Sequence, residues 1–310
     1  MSEIDKINDK LFKETFKKKE NVRTFMKKVL PEEIKTRIDF SGIEIGPTNY
    51  VSKEFKDLFS DIVVKTKMKS KSGRRINTDI CFILEHKTEG RIKIFIQFLR
   101  YMVQEWQRDI DEKKPLRIII PLVFYHGERD WKVPPSFVDQ FDVDDEVKAF
   151  LLNYRYILFD TNVWDFKHES NEELRDNVFL LTAMAMMKYA YSDDMESIEE
   201  IFKFWHERGF TDDIENVIFF LIYISETRNI SRDQIKKMLE KSKIEGGVIM
   251  ETLAQRLREE GKKIGYEEGE KAEKSKVAME LIRRGVDKDI IAGATGLPLE
   301  KIEELAEQVH

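Results

Sequence analysis

Between Ile80 and Tyr125 the chain reads apolar run, amphipathic helix, apolar run. The first run, "ICFIL", begins at Ile80, and the second is "LRIIIPLVFY" from Leu116. A strand that is apolar at consecutive positions is buried on both faces. Between the two runs, Ile92, Phe95, Phe98, Leu99, Met102, Val103 and Trp106 recur at helical spacing. Strand, helix, strand in this order is a crossover, so the pattern predicts a mixed sheet flanked by helices.

Other segments extend that plan. "SDIVVKTKMK" (Ser60 to Lys69) alternates and is rich in β-branched residues, Lys71-Ser72-Gly73-Arg74 supplies turn chemistry, and "RINTDICFILEHK" returns. This predicts a β-hairpin. "YRYILFD" (Tyr154 to Asp160) predicts a further short buried strand. Upstream, Leu11, Phe12, Phe16, Val22, Phe25, Met26 and Val29 predict one helix or two, ending at Leu30-Pro31. A loop with Gly42, Gly46 and Pro47 follows.

After Phe166 the pattern is helical only. Asn177 to Tyr189, Ile198 to Glu207, Ile214 to Ser225 and Arg232 to Lys241 are expected helices, with Thr211 and Ser231 as N-caps. From Met250 the chain turns polar, and Gly261, Gly265 and Gly269 fall every fourth residue. Each such glycine weakens a helix by about 1 kcal/mol, so a partner that uses their close approach is expected. Three short helices are expected at the end, separated at Gly285 and at the "TGLP" turn. The resulting division is a mixed α/β core over 1–165, a helical domain over 166–249 and a helical tail over 250–310.

Composition narrows the class. The longest apolar runs, Phe179 to Met187 and Val217 to Ile224, fall short of the roughly 20 residues a membrane crossing needs. The opening "MSEIDKINDK" is charged throughout, unlike a signal peptide. A single cysteine, Cys81, cannot form an internal disulfide and reads as a buried small hydrophobe. A cytoplasmic protein without a membrane partner is expected. The net charge of −6 is unevenly spread. Residues 1–130 hold 28 Lys+Arg against 21 Asp+Glu, a surplus of +7, whereas residues 131–249 carry −10 and residues 250–310 carry −3. A basic front half suits an anionic partner, and a solvated lysine-rich surface would give the same count.

The strand "ICFILEHK" ends in charge. Side chains alternate along a strand, so Glu85 and Lys87 share one face, about 7 Å apart at Cα. His86 falls on the other face and reads as a buried histidine. On the preceding strand Asp61 has the parity of Val63, Lys65 and Lys67, so matched faces would let Asp61 and Glu85 converge on one cation. Two such carboxylates repel unless a divalent ion sits between them. Mg²⁺ accepts a few carboxylates, waters and a phosphate oxygen. Lys87 could then hold the attacking water or stabilise charge on phosphate. On spacing alone the case is weak, since an Asp and an E-x-K recur by chance and a surface ion pair is the commoner explanation.

Several motifs appear together: "SDI", "EHK", "FLRYM" on the next helix and "IPLVFYHG" on the next strand. With "NDKLFKETF" and "VLPEEI" at the start and "EEGKKIGYEEGEK" and "GVDKDIIAGATGLPLEKIEEL" at the end, the chain resembles the Rpn family of recombination-promoting nucleases, whose members are also labelled transposases. That family lies in the PD-(D/E)XK superfamily, with a restriction-endonuclease-like core. The resemblance implies a Mg²⁺- or Mn²⁺-dependent DNA endonuclease. It implies Asp61 and Glu85 as metal ligands, Lys87 as the catalytic lysine, Gln97 as the glutamine that completes such sites, and Asp9 as an assisting acid on the first helix. Its family neighbour is often histidine, where this chain has Asn8. His126, in "FYHGERDW", could line the cleft or serve the turn.

Lys65, Lys67, Lys69 and Lys71, with Arg74 and Arg75 across the turn, form a basic comb suited to a DNA backbone. Lysines also protect edge strands. The final helix carries Glu300, Glu303, Glu304 and Glu307 against Lys301, a charge that DNA would repel. The tail is therefore read as a homo-oligomerisation module. Two rivals stand beside the endonuclease: an inactive DNA-binding or regulatory protein on the same fold, and a scaffold acting through the tail.

Overall fold

The computed structural model describes residues 3–46, 62–85, 91–192, 195–228 and 230–309. They form two compact units, Met1–Gly246 and Gly247–His310.

The first unit opens with α1 (Glu3–Phe16) and α2 (Lys19–Val29). The apolar stripe is thus carried by two helices. The break is fixed by Asn21, a buried amide that donates from Nδ2 to the Thr15 carbonyl at 2.8 Å. α3 (Glu32–Lys35) follows Pro31. The stretch expected as loop contains a short edge strand, β1 (Glu44–Gly46). Three residues are too few to show a period, and the strand is positioned from outside. Asp39 closes the turn before it by accepting from Ser41 N and Gly42 N, while its carbonyl accepts from Thr66 Oγ1 at 2.7 Å.

β2 (Ile62–Lys69) and β3 (Arg75–Glu85) form the expected hairpin. Gly73, at φ 79°, makes the turn possible, and Ser70 N donates to Arg74 O at 2.8 Å. α4 (Arg91–Asp111) then crosses to β4 (Ile118–Tyr125), which lies parallel to β3. A longer connection with α5 (Asp145–Lys148) leads to β5 (Ile157–Asp160), parallel to β4. The sheet order is β1-β2-β3-β4-β5. It is a mixed α/β sheet, as expected.

Each sheet face has its own aromatic layer. On one side α4 presents Ile94, Phe95, Phe98, Tyr101 and Met102 to Val123 and Tyr125. On the other, Phe12, Phe16 and Phe25 surround Phe124, with ring centroids 5.6, 6.1 and 5.7 Å away. Full burial of each such ring stabilises by about 1.5–3 kcal/mol. This two-sided contact explains why β4 is apolar at consecutive positions.

The helical part comprises α6 (Glu172–Asp176), α7 (Val178–Lys188), α8 (Met195–Glu207), α9 (Ile214–Thr227) and α10 (Arg232–Lys241). α7 is buried around its circumference, Leu180 to Met187 without interruption. It packs, with α9, against α1. Glu169, before α6, is buried and accepts from Lys28 of α2 at 2.8 Å and from Trp164 Nε1 at 2.7 Å. Ser231 caps α10 in a capping box, but Thr211 caps nothing. It lies in a 3₁₀ turn (Phe210–Asp212), and Asp213 caps α9 by accepting from Asn216 N. A carboxylate two positions on displaced the expected hydroxyl.

The second unit has α11 (Gly246–Arg283), α12 (Lys288–Thr295) and α13 (Leu299–Val309). Ala278, Ile291, Ile302 and Leu305 form its core. The first of the three expected short helices is the end of a 38-residue helix. α11 runs on through Gly261, Gly265 and Gly269, and a Cβ at each would meet nothing within 4 Å. Strong helix formers and pairs such as Lys274–Glu270 (2.7 Å) outweigh the glycines. No helix among the described residues is long and apolar enough to cross a membrane.

One buried ionic node joins α4 to the strands. The Arg117 guanidinium meets Asp79 (3.0 Å), Glu105 (2.6 Å) and Asp109 (2.6 Å), and Tyr101 Oη donates to Asp79 at 2.9 Å. Removing one partner from such a cluster strands buried charge. Arg117→Ala is therefore expected to lower stability by about 3–5 kcal/mol in urea unfolding at neutral pH. Hydrogen bonds from Arg117 hold the Asp109 carboxyl below its ordinary value of 3.8. The sign follows: this contribution is full above that ordinary value and is lost as pH falls through the lower folded one. The wild type should converge on the variant in strong acid, and equal stabilities at neutral pH would remove the node from the account.

Candidate active site

The parallel strands end together. Glu85, Tyr125 and Asp160 close β3, β4 and β5, and the register pairs Glu85 with Tyr125 and Tyr125 with Asp160. Clefts in α/β sheets form outside such carboxyl ends. The pairing of Val63 with Cys81 gives the odd-numbered positions of β2 and β3 a common face. Position 85 belongs to that face, together with Lys65, Lys67 and Asp79.

Of the expected catalytic residues, Glu85 is described through its backbone, and Asp61, His86 and Lys87 lie outside the described residues. Gln97 is half-buried on α4, one turn from Tyr101. Because Tyr101 is anchored on Asp79, that turn places Gln97 nearer the carboxyl end of β3.

Asp9 is on α1, where its Oδ2 accepts from Lys13 Nζ at 2.7 Å. Its Oδ1 is buried with no hydrogen-bond partner among the described residues. Phe12, one turn on, packs against Phe124, so the Asp9 turn lies towards the end of β4. Two further α1 residues on this end are buried: Asp5 accepts from Tyr191 Oη at 2.8 Å, and Asn8 accepts from Tyr223 Oη. His126, 1% exposed, follows β4 and stacks on Tyr191 at 5.8 Å and 17°. Burial, and then the Asp5 carboxylate, push the Tyr191 phenol well above the ordinary tyrosine range.

Asp160 accepts from Asn162 N at 2.8 Å, and burial raises its carboxyl despite that bond. Asn162 Nδ2 donates to Gly127 O at 2.9 Å, which holds the loop after β4 in place. Lys188 Nζ donates to Thr161 O at 2.5 Å, and burial lowers its ammonium. Sequence reasoning passed over Asp160, although "YRYILFD" ends in a carboxylate much as "ICFILE" does. Tyr191 and Tyr223 gave no signal, since they meet α1 across 186 and 215 residues of chain.

The basic comb is on the hairpin as expected. Lys67 lies opposite Asn77 and Lys69 opposite Arg75, with Lys71 and Arg74 in the turn. Lys65 lies opposite Glu44 of β1. Arg75 is 3.8 Å from Asp39. Among the described residues, Lys67, Lys69, Lys71 and Arg74 have no carboxylate partner. Nor does any group of three His, Cys, Asp or Glu side chains among the described residues form a metal site.

The fold is a mixed α/β sheet whose strand ends form a polar, acid-bearing shelf. Residues 6–249 match the family described as "Putative transposase, YhgA-like", and the chain belongs to that family. Three Escherichia coli proteins are similar to it. The inactive recombination-promoting nuclease-like protein RpnE of strain K12 is 24% identical over 94% of both chains. The recombination-promoting nuclease RpnD of O157:H7 is 28% identical over 50% of this chain and 59% of its own. The recombination-promoting nuclease RpnA of K12 is 23% identical over 95% of both. These relatives support a nuclease family. No solved structure matches the chain.

Tyr191→Phe removes a donor from the buried Asp5 carboxylate. It is expected to cost about 1–3 kcal/mol, read from the shift in the urea midpoint. An unshifted midpoint would mean that the Asp5–Tyr191 bond does not hold α1 to the helical layer.

Proposed function

We propose that the protein is a metal-dependent DNA endonuclease with little sequence specificity, of the recombination-promoting type. The observation that carries this reading is the row Glu85, Tyr125, Asp160 at the strand ends, approached by the α1 turn whose Asp9 carboxylate keeps a buried oxygen without a donor among the described residues. A lone carboxylate oxygen of that kind suits a cation. Carboxylates are hard oxygen donors of the type Mg²⁺ and Mn²⁺ prefer.

Asp61 and Glu85 would hold the ion, with Asp9 assisting. Bound there, it supplies an activated water and neutralises charge on the phosphodiester. Lys87 positions the nucleophile and offsets charge on the phosphate oxygens. Gln97 orients the water or phosphate from α4. The comb Lys65, Lys67, Lys69, Lys71, Arg74 and Arg75 binds backbone without reading bases. The single cysteine fits a reducing cytoplasm.

Plasmid nicking with Mg²⁺ or Mn²⁺ tests the site. Wild type should cleave, and Asp61→Ala and Glu85→Ala should lose at least about a hundredfold in rate, the scale on which removing transition-state stabilisation acts. Equal cleavage by all three removes the site assignment. Binding without cleavage by any favours an inactive DNA-binding protein, the reading that similarity to an inactive nuclease-like protein supports.

The tail is proposed to pair with a second copy along the glycine stripe of α11. Since a Cβ at Gly261, Gly265 or Gly269 meets nothing within 4 Å in the single chain, leucine there should clash only with a close partner helix. The triple Gly→Leu protein should run as a smaller species in light scattering. An unchanged mass would exclude this stripe as the interface.

A further inference from the structure

Part of the comb, Lys65, Lys67 and Arg75, borders a concave surface. Its α4-side face forms the floor of a cavity of about 470 Å³, closed by residues near the end of α4 and the start of β4. Five cations line it: Lys65, Lys67, Arg75, Lys114 and Arg117. Three carboxylates, Asp39, Glu44 and Asp79, line it too.

Two of those carboxylates are already engaged, each also near a lining cation: Asp39 lies 3.8 Å from Arg75 and Asp79 3.0 Å from Arg117. Asp39 is bound by Ser41 and Gly42 in its own turn, which holds its carboxyl below the ordinary range. Asp79 is spent on Tyr101 and Arg117. Lys67 is exposed and has no carboxylate partner among the described residues, and Asn77, its cross-strand neighbour, adds an exposed amide. Lys114 is half satisfied by Glu112 on the exposed surface, a pair worth little in water. Lys69, Lys71 and Arg74 continue the positive charge beyond the cavity. Among the described residues, Lys67, Lys69, Lys71 and Arg74 have no carboxylate partner, so this part of the strip keeps its positive charge.

Distance sets how the strip relates to the proposed catalytic end. Asp79 and Glu85 are six positions apart on β3, which at strand rise is about 20 Å. Duplex DNA advances about 3.4 Å per base pair, so that span is roughly six base pairs.

We infer that the cavity between the β1–β3 floor and the end of α4 is a second DNA-backbone subsite, holding phosphates about six base pairs from the one at the Glu85 end. This rests on the nucleic-acid half of the function proposed above. It adds Lys114 and Asn77 to the binding surface and makes tight binding depend on substrate length. Arg117 frames the cavity but is saturated by carboxylates, so its part is to support the wall.

Fluorescence anisotropy on the full chain, with chelator present to prevent cleavage, tests it. The probes are a duplex of about 24 base pairs and a hairpin-closed duplex of about 5 base pairs, too short to reach both positions. Lys67→Ala/Lys114→Ala should bind the long duplex roughly tenfold more weakly, with the slope of log K against log salt reduced by about 2. The short duplex, which cannot span the cavity and the Glu85 end together, should lose clearly less affinity than the long one. The control Lys236→Ala/Lys237→Ala, on α10, should match the wild type on both, and thermal melts should show all three folded. A variant that keeps the wild-type slope on the long duplex overturns the subsite and leaves the nuclease reading standing. Absence of nicking with the slope change intact sinks the nuclease reading and leaves the subsite. A wild type that binds neither duplex refutes both.

Discussion

A guanidinium held by three buried carboxylates is the constraint on which the α/β core depends. Arg117 sits at the entrance to β4, Asp79 is in β3, and Glu105 and Asp109 are in α4. One side chain therefore fixes the helix to both strands of the crossover. Hydrophobic contact alone would let α4 slide, because Phe95, Phe98 and Met102 meet a continuous apolar surface. The ionic contacts are directional and fix one position along the strands. An excess of carboxylate over arginine is the cost of that placement, partly relieved by Arg108 on Glu105 at 2.7 Å.

Fixing α4 at its carboxyl end leaves its amino end over the ends of the parallel strands. There the polar groups belong to elements far apart in sequence: Asp5, Asn8 and Asp9 on α1, His126 after β4, Asp160 at the end of β5. The two ends of the sheet thus have separate chemistry. One is an ion cluster of Arg117 and Arg108 with three carboxylates, bordered by a basic hairpin. The other is a buried shelf that includes a carboxylate oxygen with no hydrogen-bond donor among the described residues.

Much of this was legible in the sequence. The crossover followed from two doubly apolar runs around an amphipathic helix, and the hairpin from alternation around Gly73. What was not legible has physical reasons. β1 is three residues long and is held by Asp39 and Thr66, so no period could betray it. Thr211 lost the cap to Asp213 because the helix starts two residues later than the hydroxyl suggested. The glycines of α11 were expected to weaken a helix there, yet propensity summed over a 38-residue polar helix carries it through them. The candidate site was legible only in part. Glu85 could be placed at a strand end from alternation, but the Asp5–Tyr191 and Asn8–Tyr223 pairs join residues that share no local pattern.

The position of α1 has a consequence for modularity. One face of α1 covers Phe124 of the sheet, and another lies against α7 and α9. Lys28 of α2 also reaches Glu169, ahead of α6. The same two helices thus serve as the roof of the sheet and as the inner wall of the helical part. Neither portion could be transplanted to another protein without stripping an apolar surface from the other, so recombination or gene fusion would have to carry the first 246 residues as one inheritance.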